Sequence, residues 1–540
     1  MERIAGRPNG PGGGSRGRWR PGRWRAGGLA LMVVVGLALT AFAWIVASPT
    51  GGSPDDDFHL ASVWCLGPEA GVCPTVDVDG EIEVEAPGGT PAHHCYAFQP
   101  EQSAACSAAA LDQAVYTTDR LNQGEYPGLY YRVMHLLAGD DLSWSVLVMR
   151  WANIALILGL LGALFALSPP EQRRLQIYTV LGSAVPLVWY YWTSINPSAW
   201  GIAGLVVSWL ALTAWAQADW QRSRWRWLGL AAIGLVGAVM AAGARADCGA
   251  YLVLVAGSVG FLNWSRWRRR PQAWAVLALT AVIGLVGFLS GAQSGSLGGL
   301  GEAMERSPGA VLASNVINFP LFLGGFWGMT PSLGWLDVPL EPLAYFPALV
   351  VTVALVLVGL GSSGWRKNLM LAGFAAAIMV LPLWIWQQSL NLVGENVQTR
   401  YLAPLMAVFV GVALLRPDGR GADSLSPTQT WLMWAGVVVA QAVALHDLIR
   451  RYVTGVDVFA IDLNQNVEWW RAGGPSPMLT WVLGSVGFAL AASLWFIARR
   501  QSADRPLDPT AGLRPAGPEG SEPDESELDG SGAPADGLDR

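Results

Sequence analysis

Long apolar runs constrain this chain more than any other feature. A bilayer core needs about 20 apolar residues per helix. Such runs recur at 29–48, 143–167, 175–192, 198–218, 228–245, 249–263, 272–291, 343–361, 369–387, 401–415, 430–449 and 478–497. They predict an all-α polytopic membrane protein of about twelve transmembrane helices. A string of soluble domains is excluded, because 52% of the residues are hydrophobic and only 14% are charged.

Arginine placement orients the spans. The first run follows Arg3, Arg7, Arg16, Arg18, Arg20, Arg23 and Arg25, and positive charge is held on the cytoplasmic side. Alternation from there puts Arg173 and Arg174, then Arg222, Arg224 and Arg226, then Arg266, Arg268, Arg269 and Arg270 inside. Arg366 and Lys367, Arg416 and Arg420, and Arg499 and Arg500 follow on the same side, so 22 of 34 basic residues are cytoplasmic. Both termini are expected inside a plasma membrane, with the lipid bilayer as the first partner. The apolar stretch 309–329 would invert everything after it if it crossed. It is therefore read, within 292–342, as a re-entrant segment on the outer side. A cleaved signal peptide is the alternative for the first run, but about 20 apolar residues suit a retained anchor better.

Residues 1–27 and 501–540 are expected to form a disordered basic arm and a disordered acidic tail, leaving 28–500 as the membrane domain. Of the 40 acidic residues, 25 lie in that tail or in the stretch 48–141, so the net charge of −6 describes no single surface, and nothing supports nucleic-acid binding.

The outer loop 48–141 holds Cys65, Cys73, Cys95 and Cys106, while Cys248 lies elsewhere. On an oxidising face four cysteines read as two disulfides; short spacing favours Cys65 with Cys73 and Cys95 with Cys106, though three pairings exist. His59, His93 and His94 raise a zinc alternative, without the usual ligand spacing. The run DVDGEIEVEAPGG at 77–89 reads as an exposed hairpin, and its carboxylates leave calcium open.

Chemistry concentrates directly after the first span, where SPDDDFH at 53–59 crowds Asp55, Asp56 and Asp57 beside His59. Crowded carboxylates raise one another's pKa or gather a divalent cation, either of which suits a general base or a phosphate-linked metal site. A solvated loop at a helix end is the bland alternative. The pair Arg400 and Tyr401 opens a span, where a guanidinium can grip a lipid phosphate; as interfacial anchors the two would be ordinary. Arg245 and Asp247 read as a mutual ion pair. Arg150, inside a span, is a functional candidate by default.

Five motifs then carry a resemblance. PDDDFH at 54–59, YPGLYY at 126–131 with Tyr130, NPS at 196–198 with Asn196, LGWLD at 333–337 with Trp335 and Asp337, and VQTRYL at 397–402 with Gln398 stand in this order. The set resembles the bacterial membrane family called domain of unknown function 2142, with Asp56 where that family often has Glu. The family looks like a distant relative of the GT-C glycosyltransferases. That resemblance implies a GT-C-like fold, a polyprenyl-phosphate-linked sugar as donor, a cell-envelope glycan as acceptor, and transfer on the outer face. It implies Asp55 or Asp56, with Asp55 favoured, as the catalytic general base, and His59, Tyr130, Asn196, Trp335, Asp337, Gln398, Arg400 and Tyr401 as substrate-binding residues. Asp55, Asp56 and Asp57 are the expected ligands for any metal, and no other cofactor is implied. A transporter or flippase of envelope precursors and a non-catalytic scaffold are the competing classes.

Overall fold

A computed structural model describes residues 23–268, 271–291, 295, 298–301 and 303–503. The expected arm and tail lie almost wholly outside the described residues, as do parts of the 292–342 segment.

The first long helix, α1 (Arg23–Ala47), leads into an insertion built from α2 (Asp56–Cys65), β1 (Thr75–Val78), β2 (Glu81–Pro87), α3 (Ala108–Leu111), β3 (Val115–Thr118) and α4 (Leu129–His135). The chain then re-enters the bundle through α5 (Leu142–Leu167), α6 (Pro170–Gly182), α7 (Pro186–Trp192), α8 (Ser198–Gln217), α9 (Arg224–Ala244), α10 (Ala246–Leu262), α11 (Trp264–Trp267) and α12 (Pro271–Leu289). It finishes with α13 (Pro308–Gly324), α14 (Pro342–Leu360), α15 (Trp365–Ser389), α16 (Ala403–Leu414), α17 (Pro427–Val453), α18 (Pro477–Ala492) and α19 (Leu494–Ala503). Among the described residues, eight helices are long and apolar enough to cross a membrane: α1, α5, α8, α9, α14, α15, α17, and α18 continued into α19. α10, α12, α13 and α16 are apolar but shorter.

The run at 175–192 is not one continuous helix. α6 stops at Gly182 and α7 starts at Pro186, because proline lacks the amide a continuing helix needs and disfavours helical geometry at Val185. Two neighbours satisfy carbonyls at the break. Thr352 Oγ1 donates to Gly182 O at 3.1 Å, and Gln441 Nε2 donates to Ala184 O at 2.7 Å.

Glycine sets how closely the helices approach. α1 crosses α18 at Gly36 and Gly487, α8 crosses α9 at Gly204 and Gly237, and α10 crosses α12 at Gly249 and Gly284. In each pair a methyl group on one glycine would meet the other's carbonyl oxygen at 2.5 to 2.8 Å. Without a hydrophobic drive between helices in lipid, such backbone approach is a main source of packing energy. The first helix thus packs closely against α18.

An all-α reading needs one correction. The insertion between α1 and α5 contains a three-stranded antiparallel sheet in the order β1-β2-β3. Asp79 and Gly80 both have positive φ, as the tightest hairpin turns require, and β1 pairs with β2 across them in the expected place. Cys65 is bonded to Cys73 and Cys95 to Cys106, while Cys248 is free and buried.

Candidate functional site

The chain between α1 and α2 is held carbonyl by carbonyl. Arg150 donates to Ile45 O at 3.1 Å, Ser48 O at 2.7 Å and Pro49 O at 2.7 Å, and Arg471 reaches Ser48 O at 2.6 Å. Tyr96 donates to Thr50 O at 3.0 Å and Trp335 Nε1 to Gly51 O at 2.8 Å. The hydroxyls of Tyr190 and Tyr452 converge on Gly52 O at 2.6 and 2.5 Å, and Asn196 Nδ2 donates to Pro54 O at 3.2 Å. Seven side-chain donors from the bundle and its loops therefore fix one short loop, and the loop delivers Asp55 in a left-handed conformation with φ of 60°. That conformation costs an L-residue about 1–2 kcal/mol. The surrounding bonds hold it.

The three carboxylates diverge. Asp55 Oδ2 accepts from Arg400 Nη2 at 2.5 Å and Oδ1 from Arg120 Nη2 at 3.3 Å. Asp56 turns back to accept the Ser53 amide at 2.9 Å, and its other oxygen is buried without a partner among the described residues. Asp57 pairs with Arg120 and stands 3.9 Å from His93 Nε2. The expected metal set is therefore not assembled: among the described residues no three acidic, histidine or cysteine side chains are gathered around one point, and the nearby guanidiniums account for two of the carboxylates.

Their acidities diverge too. Burial pushes Asp55 up, but Arg400, His59 and Arg120 outweigh it and bring the carboxyl down to about 2. Burial lifts Asp56 to about 7, with Asp57 and Asp55 adding to the rise and Arg150 opposing it. His59 is driven down to about 3 by burial, with Arg400, Arg245 and Arg120 adding to the drop against Asp55, and is neutral at physiological pH. Its Nδ1 is hydrogen-bonded to the Tyr131 hydroxyl at 2.9 Å.

Arg400 and Arg245 flank the Tyr401 ring, with guanidinium carbons 5.3 and 4.6 Å from its centroid. Arg400 also donates to the Tyr191 hydroxyl at 3.1 Å, and Arg245 is held by Asp247 through two bonds of 3.0 and 2.8 Å. Beside them opens a cavity of about 360 Å³. Its lining combines the polar Glu125, Tyr126, Arg245, Asp247 and Tyr401 with the apolar Leu381, Pro382, Ile385 and Leu402. Its charged lining is Glu125, Asp247 and Arg245, and the guanidinium next to it, Arg400, lies behind Tyr401.

The structure brings Asp55, Arg400 and Tyr401 together, with His59 behind Tyr126 and Tyr131. Asn196 touches the loop backbone rather than open space, and caps Ser198 N through its Oδ1 at 2.9 Å. Tyr130 is fully buried and receives a bond from Asn153 Nδ2 at 3.2 Å. Trp335 stacks on His93 with centroids 4.3 Å apart, and Asp337 forms a buried pair with Arg451 at 2.6 Å. Gln398 is half-buried, and its Oε1 has no partner among the described residues. Arg150 is a helix cap, not a ligand-binding charge: it satisfies carbonyls that the end of α1 leaves open. Arg120 is the residue that sequence reasoning missed. It bridges Asp55 and Asp57, and it is one of only two basic residues among fifteen acids in 48–141.

A polytopic helical membrane protein with a clamped acidic loop is the class that this fold and site define. The chain belongs to the family described as predicted membrane protein, domain of unknown function 2142, whose model matches residues 38–409. No curated protein matches it, and neither does any solved structure.

Proposed function

We propose that this protein is a membrane glycosyltransferase of GT-C-like architecture that moves a sugar from a polyprenyl-phosphate donor to a cell-envelope acceptor on the outer face. The observation that carries the reading is the Asp55–Arg400 pair, joined through the Tyr401 ring to a cavity whose lining is part polar and part apolar. On this reading the four crossings beyond the eight long helices are α6 with α7, α10, α12 and α16, and α13 stays on the outer side.

Arg400, together with Arg245, holds the donor phosphate, and the apolar part of the lining takes the first prenyl units. The acceptor hydroxyl attacks the anomeric carbon of the sugar, the bond from that carbon to the phosphate oxygen breaks, and polyprenyl phosphate leaves with the electron pair. The hydroxyl proton passes to Asp55. A carboxylate held near 2 is a weak base, so the donor phosphate has a second role. By taking Arg400 it removes the charge that depresses Asp55, and the base is released only when donor is bound.

The test is transfer of label from a polyprenyl-phosphate-linked radiolabelled hexose into glycan, using the full chain in vesicles that carry cell-envelope acceptor. Transfer by the wild type and its loss in Asp55→Asn is the expected result. Equal transfer by both proteins sinks the enzyme reading.

A further inference from the structure

The chain between α17 and α18 turns back on itself. It leaves α17 at Val453, yet the Ile461 carbonyl accepts from His446 Nε2 at 3.0 Å, and His446 lies two turns inside that helix end. Asn464 Oδ1 then accepts the amide of Met478, in the first turn of α18, at 3.2 Å. From there the chain rises again, because the amides of Glu468 and Trp469 both donate to Val453 O at 3.1 Å. Residues 457–464 are thus the tip of a loop that hangs alongside the ends of two helices instead of standing beyond them.

Helix length gives the depth of that tip. α17 has 27 residues and is about 40 Å long, whereas a hydrocarbon core is about 30 Å thick. The surplus falls at the Val453 end, where Asp447, Arg450 and Arg451 follow the apolar run. His446 stands about 28 Å along the axis from Pro427 and so marks the boundary of the core. Trp481 marks the same level from α18, with its indole donating to Ala442 O at 2.7 Å and its ring 5.6 Å from His446, and tryptophan is enriched at such boundaries. The tip bonded to this level presents Phe459 and Ile461, exposed at 81% and 76%. One turn further out along α17, the Arg450 guanidinium lies 5.8 Å from the Phe459 ring. Leu479 and Val482, exposed on α18, begin at the same level and continue into the span.

We propose that this tip is an interfacial lipid anchor, with Phe459 and Ile461 lodged among the headgroups and first acyl carbons of one leaflet. A single exposed apolar side chain on a water-facing loop would need no account. Two of them at the depth of the hydrocarbon boundary, with a guanidinium one turn above where lipid phosphates lie, match the layered chemistry of a bilayer surface. Asp457 and Asp462, both exposed, flank the pair and hold the tip in the headgroup layer, since a carboxylate is costly deeper in. The same loop carries Arg471, which donates to Ser48 O at 2.6 Å, so the anchor ties the chain ahead of the acidic segment to the membrane surface. The anchor is independent of the glycosyltransferase reading.

The experiment is spin-label accessibility of the full chain in phosphatidylglycerol nanodiscs. Phe459→Cys and Ile461→Cys are labelled one at a time, with Ile82→Cys on the β1–β2 hairpin, where Ile82 is exposed, as the water-facing reference. Unsubstituted protein, whose free Cys248 is buried, supplies the background. Labels at 459 and 461 are expected to collide with oxygen several-fold more often, relative to a water-soluble nickel chelate, than the label at 82. An equal ratio at all three positions overturns the anchor. Shielding of 459 and 461 from both reagents, with dipolar broadening between labels, assigns the patch to a second copy of the chain and overturns the lipid partner. Should a cysteine variant not fold, wild-type protein is cross-linked with a phosphatidylglycerol that carries a diazirine at the headgroup end of its acyl chain. Adducts within residues 457–464 are then expected, and their absence there overturns the proposal.

Discussion

Asp55 and Arg400 lie 345 residues apart in sequence and meet at 2.5 Å, joining the loop after the first helix to the short turn Thr399–Tyr401 ahead of α16. The pair is partly open, since the arginine is almost fully buried while the carboxylate is about one-third exposed. Asp55 is therefore the member of the pair that solvent reaches, while Arg400 is held from behind by the Tyr191 hydroxyl.

Asp56 makes stability depend on pH. Its unfolded carboxyl titrates near 3.8 and its folded one near 7, so over that window the folded state holds the extra proton and stability falls as pH rises. Asp56→Asn keeps an acceptor for the Ser53 amide and removes the buried charge. The variant should melt higher than wild type at pH 8, with the difference shrinking towards pH 5. Thermal unfolding in detergent at several pH values is the measurement, and parallel curves would count against the buried carboxylate.

Gly52 O, which accepts from both Tyr190 and Tyr452, offers a test of the loop clamp. Either Tyr→Phe change alone leaves one donor and should cost about 0.5–1.5 kcal/mol. Both together strand a buried carbonyl, adding about 1–3 kcal/mol. A double-mutant cycle should therefore show a combined loss larger than the sum. Simple additivity would mean that the carbonyl finds another donor.

Topology is open to reporter fusions. A reporter joined after Arg500 should be active on the cytoplasmic side, and one joined in the loop near Glu69 should be active outside. A tail reporter found outside would remove one crossing from the proposed twelve.

Much of this architecture was legible in the sequence because lipid imposes simple rules. Apolar runs marked the eight long helices, and the alternating run at 77–89 announced its hairpin. Cysteine spacing pointed to the two disulfides, and the ordered motifs pointed to the family. The break before Pro186 was written in that proline yet masked by the hydropathy of the flanking residues. What stayed hidden depends on long-range partners. Arg150 looked like a functional charge because its carbonyl partners at the end of α1 are about a hundred residues away. Arg120 carried no period or motif, and its role exists only once the sheet brings it back over α2. Asp337 looked available until Arg451 came to it from α17.

The most direct test of the central claim separates donor binding from turnover. Equilibrium binding of a polyprenyl-phosphate sugar and its rate of transfer should be measured together for wild type, Asp55→Asn and Arg400→Gln. Asp55→Asn should bind donor more tightly, because the phosphate no longer competes with a carboxylate for Arg400, while turnover falls roughly 10²–10⁴-fold with loss of the base. Arg400→Gln should lose about 1.5–3 kcal/mol of donor binding. If Asp55→Asn instead binds donor more weakly, or turns over at the wild-type rate, Asp55 is not the donor-gated base and the account is contradicted.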